Sequence, residues 1–207
     1  MKIDLFNKVL AAAVVTILVA QVLLFLVSWL VTAASPDTEM RSLLSNEGIR
    51  WFFGSFTHNV ANPPLAWIVL MAMAWGTMKD SKIIDVLRNR KQKPTYRQTF
   101  ALRMVAFMIL AFMVIVFLVA FIPHAPLLSA TGRLFPSPFS VSLIPMIAAE
   151  CTICAATYGV MVGVLRNAAD VVMAMANGIA KAAPIIVVYI MAAELIASFD
   201  YVFRIYW

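Results

Sequence analysis

"SLIPMIAAECTICAATYGVMVGVLRN" (142–167) is apolar enough to cross a bilayer, yet it carries a carboxylate, Glu150, near its middle. About 20 predominantly apolar residues make a transmembrane helix. An ionisable side chain inside one faces protein or water rather than lipid, and is a functional candidate by default. On either side of this stretch, the apolar runs place spans at roughly 9–33, 60–79, 100–122, 141–165 and 180–199, with a basic connection over 80–99.

The totals agree. Of the 207 residues, 63% are hydrophobic and 13% charged, and the mean hydropathy is +0.92. No soluble core uses that much apolar surface, so the excess faces lipid. No alternating pattern favours a barrel. The expected fold is therefore an all-α integral membrane protein. It is read as a single membrane domain over 1–207, with about five transmembrane helices and an outer interfacial or re-entrant segment. The N-terminal apolar run is about 24 residues, longer than the h-region of a cleaved signal peptide, and reads as a retained first helix. A cleaved signal is the alternative.

The net charge of +6 could point to nucleic acid, but the basic residues lie beside the expected spans, where they anchor to anionic lipid. The bilayer is the expected partner, and no nucleic acid is. With the N-terminus in the cytoplasm, twelve of the sixteen Lys and Arg residues fall inside and four outside, which favours an N-in, C-out chain in the inner membrane. Arg88, Arg90, Lys91, Lys93 and Arg97 are the expected membrane-surface anchors.

The second span is irregular. In "SFTHNVANPPLAWIVLMAMAWGTMKD" (55–80), Pro63 and Pro64 lack amide donors and push Asn62 away from helical geometry. One reading is a broken helix lining a solute path, with non-helical backbone covered by protein or by a water-filled cavity. The other is that the proline pair simply opens a helix, where a missing donor costs nothing. Before it, "SLLSNEGIRWFFGSF" (42–56) is too polar to cross. It reads as lying in the outer interface or packing over the mouth of the bundle.

Two carboxylates stand inside the expected spans. The helical rise puts Glu150 about 13 Å, and Glu194 about 10 Å, below the outer edge of a ~30 Å core. At similar depth they can share a proton, or bind a cation or a cationic solute group. The alternative is that each is neutral and bonded to a neighbouring hydroxyl such as Thr152, Thr157 or Ser198. Glu150, Glu194, Asn62, Pro63 and Pro64 are the candidate pathway residues.

Cys151 and Cys154 form C-x-x-C within a helix. With no other cysteine in the chain, and His58 and His124 the only histidines, a redox or zinc site lacks its remaining parts. Both cysteines read as small hydrophobes. No catalytic triad or phosphate loop is present, so no enzyme, metal or cofactor is expected.

Several motifs together resemble the aminobenzoyl-glutamate transporter (AbgT) family: "LLSNEGIRWFF" (43–53), "NPPL" (62–65), "FPSPFSVSLIP" (135–145) and "YGVMVGVLRNAADVVMAMANGIAKAAPIIVVYIMA" (158–192). The resemblance falls in two blocks, roughly 1–87 and 95–203. It implies a shortened, dimeric or otherwise oligomeric relative of longer transporters. Those use re-entrant hairpins with Ser-Ser-Asp-Ala-like and Ser-Gly-Ser-like motifs, and neither motif occurs here. The resemblance thus implies framework segments only, and no site residue carries over from it. The expected function is a small, homo-oligomeric membrane transport protein moving a small organic anion or amino-acid-like solute by ion or proton coupling. The alternative is a transport-inactive scaffold, or half of a split transporter, docked on another membrane protein.

Overall fold

The computed structural model describes residues 2–35, 37–88, 94–121 and 138–204, and among them every regular element is a helix. In chain order these are α1 Lys2–Ala34, α2 Asn46–Val60, α3 Pro63–Asp80, α4 Ile83–Arg88, α5 Tyr96–Phe121, α6 Pro138–Val162 and α7 Ala168–Phe203. Four are long and apolar enough to span a membrane: Lys8–Ala34, Tyr96–Val119, Val141–Val162 and Ala168–Phe203. A fifth crossing exists if α2 and α3, bent by 42° at their break, act as one span. These are the expected number and kind of spans.

Two boundaries differ from the sequence expectation. The last helix begins at Ala168, well before residue 180, and runs through Pro184 without stopping. Its start is capped: the Asp170 amide donates to Asn167 Oδ1 and the Arg166 amide to Asp170 Oδ2, both at 2.8 Å. At 36 residues it is roughly 54 Å long, so it outreaches a ~30 Å hydrocarbon core. Helix α6 stops at Val162, short of residue 165, because Gly163 takes a φ of +84°. The Val164 and Leu165 amides then fold back onto Gly159 O at 2.9 and 3.0 Å, closing the helix end.

Contacts group the chain into two compact units, one of Met1–Leu65 with Ala183–Trp207 and the other of Ala66–Ala182. In the first, a small core of Leu43, Tyr201 and Val202 closes over α1 and α2. The fully buried Ser28 hydroxyl accepts from the Leu43 amide at 3.2 Å and donates to Phe25 O at 3.0 Å. Trp51 stacks on Tyr201 with centroids 4.3 Å apart, while the Arg41 guanidinium lies 5.4 Å from the same ring. The aromatic run that sequence places in the interface therefore divides. Trp51 packs inward and Phe53 is left 76% exposed.

In the second unit, α5 packs along α6, and Ala101 and Val105 meet Cys154, Ala155 and Tyr158. The α3 and α7 segments of this unit meet through small residues, Ala72 and Gly76 against Ala174 and Gly178, spaced one helical turn apart on each helix. Lipid supplies no hydrophobic drive for helix association, so close backbone approach through such small pairs supplies the packing instead. One turn on, Asp80 Oδ2 accepts from Asn177 Nδ2 at 2.9 Å, and Lys181 Nζ lies 3.9 Å from Asp80 Oδ1.

A Cβ added at Gly178 would run into Ala72 O and come within 2.9 Å of Gly76 Cα, so neither helix has room for it. Gly178→Ala is expected to cost about 1–3 kcal/mol through overpacking, read as a lower midpoint of thermal unfolding in detergent. Gly54→Ala is the control. That position has nothing within 4 Å of a new Cβ, and the change should be neutral or stabilise by about 0.5–1 kcal/mol.

Candidate functional site

The site grows out of the break between α2 and α3. Helix α2 ends at Val60, and its terminal carbonyls need donors that a continuing helix would have supplied. Asn62 provides two of them: its side-chain Nδ2 donates to Asn59 O at 2.7 Å and its amide to Val60 O at 2.8 Å. From α7, the Tyr189 hydroxyl lies 3.5 Å from the same Val60 carbonyl. Pro63 and Pro64 then open α3 at positions where an amide would have had no acceptor. The proline pair thus starts a helix, and the chain before it is bent by 42° at the break.

Opening the chain here leaves a cavity of about 490 Å³ within the first unit. His58, Asn59, Asn62, Pro63 and Pro64 form one wall. The other is a stripe of α7, from Tyr189 through Ala192, Ala193, Ile196 and Ala197 to Asp200. The spacing is helical, one face over three turns. The alanines make the room, because any larger side chain on that face would fill the space.

Behind the wall lies a row of buried polar groups. Glu194, 5% exposed, accepts from Asn59 Nδ2 on Oε2 at 3.4 Å. One turn further, the fully buried Ser198 accepts from Gln21 Nε2 at 2.8 Å. Glu194 Oε1 and Gln21 Oε1 are both buried and have no donor among the described residues. A row with two open acceptor oxygens has capacity for protons or a cation.

Of the sequence candidates, Asn62, Pro63 and Pro64 line the cavity and Glu194 stands directly behind Asn59. Glu150 belongs to the other unit. It lies on α6, half-buried, where its Oε1 accepts from the Cys154 thiol at 3.1 Å, one turn along the same helix. The hydroxyl expected beside it, Thr152, donates instead to its own helix at Ala148 O. Both cysteines are free, and Cys154 is buried in the α5–α6 core. Arg88 and Arg97 are exposed. Arg90, Lys91 and Lys93 lie outside the described residues. Among the described residues no three metal-ligating side chains converge. Sequence reasoning missed His58, Asn59, Tyr189 and Asp200. The signals were the polar run "HNVAN" just before the prolines, and a Tyr–Asp pair eleven residues apart on one helix face.

The model of the AbgT putative transporter family matches residues 74–203. The chain belongs to that family. The matched span contains the α7 wall of the cavity, while the Asn62–Pro64 wall precedes it. No curated protein sequence matches the chain. Among solved structures, the YdaH transporter of Alcanivorax borkumensis, described as having an unusual topology, is similar with a TM-score of 0.73. At 14% identity this likeness shows the fold, and it covers 91% of this chain and 70% of that one. As an AbgT family member the chain is an integral membrane protein with a role in membrane transport.

Removing the Asn59 side chain should leave the Glu194 carboxyl without its donor. Asn59→Ala is expected to destabilise the protein by about 0.5–1 kcal/mol, the usual range for interhelical polar contacts in membranes. In the Glu194→Leu background the same change should have less effect. A double-mutant cycle of thermal unfolding in detergent measures the difference.

Proposed function

We propose that this AbgT family protein moves a small organic, amino-acid-like solute through the cavity at the α2–α3 break, coupled to an ion or a proton. The observation that carries this reading is the cavity itself, with His58, Asn59 and Asn62 on one wall and Asp200 on the other. Its amides and imidazole suit a carboxylate and its Asp200 an ammonium, so one pocket offers both recognition chemistries of an amino-acid-like molecule. Glu194 behind the wall is the group that answers to the coupling ion or proton, since a carboxylate with an open oxygen changes its bonding when it gains either one. The twelve-to-four distribution of Lys and Arg supports an N-in, C-out chain in the cytoplasmic membrane. Because so few helices enclose little volume, the transporting form is a homo-oligomer.

A second reading is a transport-inactive subunit, or half of a split transporter, held by another membrane protein. It is favoured by the lack of Ser-Ser-Asp-Ala-like and Ser-Gly-Ser-like segments in these 207 residues.

Native mass spectrometry of the protein purified in mild detergent, followed by uptake of a panel of amino-acid-like and small carboxylate solutes into proteoliposomes, separates the two. Transport predicts a single-sequence oligomer and solute uptake. Ala193→Trp, which fills the cavity, should reduce uptake about tenfold or more, in line with the 1–3 kcal/mol of an overpacked site. Glu194→Gln should abolish dependence on the driving ion or pH gradient while the protein still assembles. A stoichiometric foreign membrane subunit, or uptake unchanged by Ala193→Trp, would overturn the transport reading at this site.

A further inference from the structure

Helix α5 has two opposed faces. Ala101 and Val105 are buried against α6, whereas Tyr96, Phe100, Phe107 and Leu110 are 85%, 56%, 64% and 63% exposed. Arg103 sits on the exposed face, between Phe100 and Phe107 at helical spacing. From residue 104 to 121 the helix carries no charge, a run of about 27 Å that nearly matches the ~30 Å hydrocarbon core. Arg103 is therefore the last charge before this apolar run, and it stands on the exposed face of the helix.

Among the described residues Arg103 has no hydrogen-bond or ion-pair partner. No Asp or Glu occurs anywhere from residue 86 to 149, although the same stretch holds seven Lys and Arg residues. Beside the guanidinium is a second cavity, of about 330 Å³, lined by Pro94, Tyr96, Thr99, Phe100 and Arg103. It offers a fork of guanidinium donors, the exposed Tyr96 hydroxyl and an apolar floor. An uncompensated guanidinium at the edge of a bilayer lowers its free energy most by pairing with a phosphate oxyanion, which its planar fork fits in two-pronged fashion.

We propose that the first two turns of α5 form a binding site for the phosphate headgroup of an anionic phospholipid. Arg103 is the principal ligand and Tyr96 a supporting donor, and the exposed Phe107 and Leu110 stripe beds an acyl chain. Charge complementarity selects the occupant, since a zwitterionic lipid brings its own cation into a region already crowded with positive charge. The site is independent of the cavity at the α2–α3 break.

The test is native mass spectrometry and thermal unfolding of the full chain in mild detergent, titrated separately with phosphatidylglycerol, phosphatidylcholine and inorganic phosphate. Retained phosphatidylglycerol adducts and a raised unfolding midpoint are expected, with phosphatidylcholine and inorganic phosphate giving neither. Arg103→Ala should weaken phosphatidylglycerol retention about tenfold, as loss of charge-assisted hydrogen bonds implies. Arg103→Lys keeps the charge but loses the fork, and should fall between wild type and Arg103→Ala. Arg97→Ala, which removes an exposed anchor that does not line the cavity, should weaken retention clearly less than Arg103→Ala does. An equal loss with Arg97→Ala would mean diffuse attraction to the basic surface and overturn the site. So would an equal midpoint shift with inorganic phosphate, or with phosphatidylcholine.

Discussion

Close approach of two helix backbones, Ala72 and Gly76 of α3 against Ala174 and Gly178 of α7, is the constraint on which the second unit rests. In water such a contact would be reinforced by burial of apolar surface. In a bilayer the alternative environment is equally apolar, so what remains is van der Waals contact over backbones that side chains do not hold apart. The residues flanking the crossing build on it. Thr77 is fully buried and donates to Met73 O of its own helix, leaving no loose polar group at the contact. One turn beyond, the Asp80–Asn177–Lys181 cluster continues the same two faces into a more polar setting, where ionic contacts need less desolvation.

The first unit solves a different problem. A broken helix exposes backbone carbonyls, which lipid cannot satisfy. Here the break is tolerated because Asn62 caps Asn59 O and Val60 O, and Tyr189 reaches toward the latter from α7. The residues that make the break affordable are the ones that line the space it opens. Asn62 and Tyr189, which the backbone needs, thus also line the cavity, beside His58, Asn59 and Asp200. The small residues of α7 act similarly, since Ala192, Ala193 and Ala197 leave space where leucines would have closed it.

Much of the fold was legible because the bilayer demands it. Apolar runs of spanning length gave an expectation of about five crossings, and the helices provide four, or five if the bent pair is one span. What was misread is instructive. The sequence reading placed the last span at 180–199, whereas the helix that holds it begins at Ala168. Its Asn167–Asp170 cap was present as a helix-start signal and went unused. The partner of Glu150 was sought among hydroxyls and proved to be a thiol one turn away, Cys154. The donor to Glu194, Asn59, comes from a segment 135 residues distant, and no local pattern carries that pairing.

From the sequence alone came a helical membrane protein with about five apolar spans, and a proline pair at Pro63–Pro64 that either breaks a helix or opens one. Each of those is a local property, fixed by hydrocarbon thickness, by helical rise and by a missing amide hydrogen. Only the tertiary structure decided that Asn59 faces Glu194, that Gln21 reaches Ser198, and that an alanine stripe on α7 meets the broken end of α2. Those depend on the rotation of one helix about its axis relative to another. In a chain where nearly every face is apolar, hydrophobic period carries almost no information about that rotation.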